Sequence, residues 1–95
     1  MKTIKTVIVT PVFVKEYLPE RKEMEQGKIY ISRTWKGSSH LCLCGCGVEC
    51  YLPHNKNGWD LTDHGNNRIS ISPSILQRFD CKSHYIITNN KANFV

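Results

Sequence analysis

The chain has 95 residues, which is room for one domain, taken here as residues 1–95. Only 40% of it is apolar, so its core is thin and a metal or disulfides are expected to supplement it. Thirteen basic against eight acidic residues leave a net charge of +5, but no basic run exceeds two residues, so nucleic acid is not the expected partner, and no apolar stretch approaches the ~18 residues of a membrane helix. β-branched residues crowd positions 2–10 and predict a first strand, which Pro11 interrupts before an edge continuation at 12–14. Residues 19–26 are polar and predict an exposed loop or a single helical turn ended by Gly27. Residues 28–35 alternate, with Ile29, Ile31 and Trp35 on one face. Gly37, Ser38 and Ser39 then read as a turn leading into a run of cysteines. Strands follow at 48–52 and, briefly, at 59–61, on either side of a loop at 54–58. A turn at 63–67 leads to a strand at 68–72. Pro73, with Ser72 as its cap, predicts a short helical turn over 73–77. The last strands, 84–88 and 92–95, are joined by a hairpin at Asn89-Asn90. The sum is seven or eight short strands: a mainly β domain, a small antiparallel sandwich or open barrel with at most one or two helical turns.

Residues 1–10 lack the continuous apolar stretch and small-residue site of a signal peptide, so a cytoplasmic location with reduced thiols is expected. Five cysteines, an odd number, also argue against a disulfide framework. Four of them, with two histidines, fall in His40-Leu41-Cys42-Leu43-Cys44-Gly45-Cys46-Gly47 and Cys81-Lys82-Ser83-His84. Thiolate and imidazole from two distant segments are the usual construction of a tetrahedral zinc site, and binding there stabilises the fold directly. Four of Cys42, Cys44, Cys46, Cys81 and His84 are expected as ligands, the favoured set being Cys42, Cys46 and Cys81 with Cys44 or His84. In an extended strand, cysteines at alternate positions would point the same way, so a bend at Gly45 and Gly47 is needed to bring two or three to one ion. Against the zinc reading stand a set of reduced, half-buried thiols and a redox switch, the latter disfavoured by the strain of bridging Cys44 to Cys46. Cys50 reads as a core thiol.

His40 and His84 neighbour the cluster, and one not needed as a ligand is a candidate base. Ser83, Ser74, Ser72 and Ser39 are candidate nucleophiles, with Asp60 or Asp63 as an orienting third group. A zinc that kept a water would instead hydrolyse with three protein ligands. His54 and His64 read as surface histidines, and Trp35 and Trp59 as core anchors.

At these residues the sequence resembles BubE, a family of small bacterial proteins with an H-x-C-x-C-G-C-G segment, a tryptophan, P-S-I and C-x-S-H-Y in that order. The matches are His40, Cys42, Cys44 to Gly47, Trp59, Pro73-Ser74-Ile75, and Cys81 with Ser83-His84-Tyr85, spanning 27–95. Ile86 and Phe94 stand where the family often has an aromatic and a tryptophan. The family occurs in bacterial operons encoding ubiquitin-like proteins and their conjugating enzymes. The resemblance implies a peptidase that trims the ubiquitin-like protein or removes it from its targets. The expectation is therefore a zinc-binding deconjugating hydrolase with His40, Ser74 and Ser83 as catalytic candidates, His84 being the other candidate base. The competing expectation is a non-catalytic, structural-zinc module that binds a protein.

Overall fold

A computed structural model describes residues 6–77 and 81–95. Residues 2–5 of the predicted first strand lie outside them. Nine strands form: β1 (Thr6–Ile8), β2 (Thr10–Val14), β3 (Lys28–Ser32), β4 (Gly37–Leu41), β5 (Glu49–Pro53), β6 (Asp60–Gly65), β7 (Arg68–Leu76), β8 (His84–Thr88) and β9 (Lys91–Phe94). They make a five-stranded sheet, ordered β1-β9-β8-β7-β6, and a four-stranded sheet, ordered β2-β3-β4-β5. The mainly β expectation holds, and the only helical element among the described residues is a 3-10 turn, Arg21–Glu23. One pair, β2 with β3, is parallel. Its connection through the 3-10 turn supplies the long crossover that parallel neighbours require.

The core lies between the sheets. Ile29, Ile31 and Leu52 from the smaller sheet meet Ile69, Ile71, Ile75, Tyr85, Ile87 and Ala92 from the larger, with Val9 joining them from the step between β1 and β2. A buried polar chain runs through it. His40 Nε2 lies 2.8 Å from the Tyr85 hydroxyl, and Gln77 Nε2 donates to that hydroxyl (3.0 Å) and to Cys50 Sγ (2.6 Å). Burial holds His40 down at about 4 and pushes Cys50 up to about 11, so both sit neutral in the core at pH 7.

Four local expectations are corrected. Gly37 to Ser39 are not a turn but the start of β4, and Gly37 accepts the Tyr51 ring lying across it, where a Cβ would sit 2.5 Å from the phenol oxygen. Residues 73–77 are not a helical turn: β7 runs on through Leu76, because Ile75 must reach the core opposite Tyr85. The turn expected at 63–67 shrinks to Asn66 and Asn67, both at positive φ, since Asp63 and Gly65 still pair with Ile69 and Arg68. Trp35 is 58% exposed, since β3 stops at Ser32 and the ring, in the turn beyond, meets Tyr17 instead. The Asn89-Asn90 hairpin forms with both residues at positive φ.

Candidate functional site

Cys42 follows directly on β4, and the chain then folds back in a turn over 43–46. Gly45 N–H donates to Cys42 O (3.0 Å), Cys42 N–H donates to Val48 O (2.7 Å), and Gly45 and Gly47 sit at φ of 95° and 84°. This is the bend that single-residue spacing demanded. The crossover segment braces it: Gln26 Nε2 donates to Cys42 O and Arg21 Nε to Gly47 O, each at 2.9 Å. Cys81 arrives from the other sheet, and Lys82 turns the chain at φ 45° directly after it.

The Sγ atoms of Cys42, Cys44, Cys46 and Cys81 all lie within 4.8 Å of one another. Cys42 is 3.4 Å from Cys44 and 3.8 Å from Cys81. Sulfurs around a tetrahedral zinc, at ~2.3 Å from the metal, stand ~3.8 Å apart, so the set fits a zinc ion. Burial pushes the Cys42 thiol up, which makes an adjacent cation the natural means of holding it as thiolate. A hydrogen bond from the Ser83 side chain leads the causes that hold Cys44 down at about 6 and Cys81 below the ordinary thiol range. Ser83 therefore serves the cluster as a donor to sulfur.

His84 does not join the four sulfurs. Its Nε2 lies 2.7 Å from Ser74 Oγ. The pair is positioned by β7 and β8. Ile71 pairs with Ile87 and Ile75 with Tyr85, so Ser72, Pro73 and Ser74 stand opposite Ile86 alone. Such a bulge re-aims a side chain locally. Ile75 and Tyr85 point into the core, and the alternation turns Ser74, Leu76 and His84 to the opposite face. Trp59 packs against the core as expected, and its Nε1 donates to Ser74 O (3.3 Å). Neither expected carboxylate orients His84 among the described residues: Asp63 is engaged by Arg33, and no hydrogen bond joins Asp60 to the imidazole.

Two other serine-histidine pairs exist. His54 Nε2 lies 3.0 Å from Ser38 Oγ, while its Nδ1 lies 3.0 Å from Trp59 O, but Ser38 is wholly buried. His64 Nε2 lies 2.7 Å from Ser70 Oγ, which also accepts the Asn89 N–H and so ties the hairpin turn. Of the three serines paired with a histidine among the described residues, Ser74 is the one that is partly open and does not also hold a turn. His40, expected beside the cluster, is fully enclosed and faces Tyr85. The pairing of Ser74 with His84 was legible only as two separate motif fragments, since nothing in the spacing brings residues ten apart across a strand junction.

A family model described as bacterial ubiquitination-like system serine protease (BubE) matches residues 14–95. Comparison with curated proteins and with solved structures returned no match.

Proposed function

The chain belongs to the BubE family, and from that premise we propose that it is a serine peptidase in which Ser74 is the nucleophile and His84 the base. Its substrate is a ubiquitin-like protein of the bacterial system that the family description names. The observation that carries this reading is the 2.7 Å approach of Ser74 Oγ to His84 Nε2 on the solvent side of the larger sheet. The two residues come from the P-S-I and S-H-Y segments.

The geometry supports a simple sequence of proton movements. As Ser74 Oγ attacks the scissile carbonyl carbon, its proton passes to His84 Nε2. The imidazolium then gives that proton to the leaving amine, the C–N bond breaks, and an acyl ester remains on Ser74. Water attacks the ester, with His84 again taking and returning the proton, which releases the acid and restores the hydroxyl. With no carboxylate partner among the described residues, His84 works in a dyad rather than a triad.

Cys42, Cys44, Cys46 and Cys81 would hold zinc. An ion held there would cross-link the 42–46 turn to the segment leading into β8. Ser83, whose one hydroxyl proton can go to Cys44 or to Cys81, belongs to this support and is not a nucleophile in this reading.

The test is incubation of the zinc-loaded protein with a C-terminally extended ubiquitin-like protein from such a system, followed by mass spectrometry of the products. A fluorophosphonate probe is added in parallel to tag the reactive serine. Cleavage at the extension and a tag on Ser74 are expected. Intact substrate together with an untagged Ser74 would sink the assignment.

A further inference from the structure

Ser74 lies where β7 has a strand neighbour on one side only. β6 pairs with β7 from Gly65↔Arg68 as far as Asp60↔Ser72 and then stops. The preceding residue, Trp59, turns its N–H away to Pro53 O (2.9 Å). β7 continues to Leu76, held by β8 through Ile75↔Tyr85 and Leu76↔His84. Beyond Ser72, no described strand occupies the lane on the far side of β7.

The hydrogen-bond directions in this stretch are fixed by two contacts. Gln77 N–H donates to Ser83 O, so the main chain of Gln77 faces β8. Val95 N–H donates to His84 O, so the main chain of His84 faces β9. Antiparallel alternation then turns the N–H and C=O of Ser74 and Leu76 away from β8, into the vacated lane. Ser74 O is met there by the Trp59 indole. Leu76 presents its N–H and C=O to the lane with its side chain 57% exposed, on the same face as Ser74 and His84.

We propose, on the serine-peptidase reading, that the substrate enters as an extended tail that adds to β7 in the lane β6 leaves empty. It exchanges main-chain hydrogen bonds with Leu76 while its scissile carbonyl lies at Ser74. An extended, unpaired segment of a protein is the occupant, because only such a segment offers free N–H and C=O groups at strand spacing. The Trp59 indole fills the lane at Ser74, so the residues past the scissile bond turn off the sheet there. Recognition is consequently by main chain first and by side chain second.

Leu76→Pro tests this directly. It removes one of the two N–H groups aimed into the lane, leaving that of Ser74, and no hydrogen bond to β8. The measurement is kcat and KM on a peptide copying the substrate tail, with circular dichroism and fluorophosphonate tagging of Ser74 as controls on folding and on the reactive serine. KM is expected to rise about tenfold, the worth of one main-chain hydrogen bond of ~1.4 kcal/mol. Wild-type protein is then given peptides N-methylated one amide at a time. Cleavage is expected to fall about tenfold at alternate positions, following the period of two. An unchanged KM in L76P, with every methylated peptide cut at the parent rate, would overturn the proposal. Should L76P misfold, the methylated series alone decides. If wild-type Ser74 takes no probe and the parent peptide stays whole, the serine-peptidase reading itself fails and the strand lane falls with it.

Discussion

Ser74 and Ser83 differ in what surrounds their hydroxyls, and their alanine variants separate the two roles. Ser74→Ala is expected to abolish fluorophosphonate tagging and substrate cleavage with the melting temperature little changed, as its side chain faces away from the core. Ser83→Ala is expected to keep Ser74 reactive but to weaken zinc binding about 10- to 100-fold, read by competition with a chromophoric chelator, because the cluster loses the hydroxyl that lowers Cys44 and Cys81. His84→Ala is expected to lower kcat by about 10²- to 10⁴-fold, the usual worth of a positioned base. The chemistry-bearing residues were visible in the sequence as residue types, but their partners were not. His84 read equally well as ligand and as base from its place beside Cys81. The proposed role as base rests on β8 pointing it outward, one strand over from Ser74 and away from the sulfurs. His40 stands outside the proposed dyad for the opposite reason. It lies in β4 rather than at the edge of a loop, and the alternation sends it into the core against Tyr85.

At the scale of elements, the loop between β5 and β6 holds Ser74, the proposed nucleophile, through Trp59. His54 N–H donates to Lys36 O, His54 Nδ1 meets Trp59 O, and the Trp59 indole holds Ser74 O. Gly58 permits that path: a Cβ there would lie 2.1 Å from Pro53 O, a rigid backbone atom. Gly58→Ala is therefore expected to cost about 1–3 kcal/mol, seen as a lower midpoint in urea unfolding. Gly37→Ala is the contrasting case. Its obstacle is the exposed ring of Tyr51, which can swing away, so its cost should be distinctly smaller. Most strands were legible from β-branched alternation, and the Asn89-Asn90 hairpin from its turn chemistry. The stretch at 73–77 was not. Ser72 before Pro73 is a sound local signal for a helix start, yet burial of Ile75 against Tyr85 outweighs it and draws the segment into β7. The bulge that presents Ser74 is a product of that conflict, so a reading of local preference alone misses the site's main device.

For the whole molecule, the four sulfurs join the smaller sheet, through the end of β4, to the larger sheet, through the approach to β8. Chelation of zinc is expected to lower the melting temperature by at least ~10 °C, with Cys81→Ser giving a similar loss that added zinc does not restore. Circular dichroism melts with and without a strong chelator make the comparison. The family match begins at residue 14, yet β1 and nearly all of β2 come before it. Those few residues lace the sandwich shut: β1 lies along the C-terminal strand β9 in one sheet, Val9 drops into the interior, and β2 borders the other sheet beside β3. A chain beginning at residue 14 would keep every sulfur and the serine-histidine pair, but it would bare a raw border on each sheet at once. Such borders invite edge-to-edge stacking between copies, so a chain cut at residue 14 is expected to self-associate where the full chain does not.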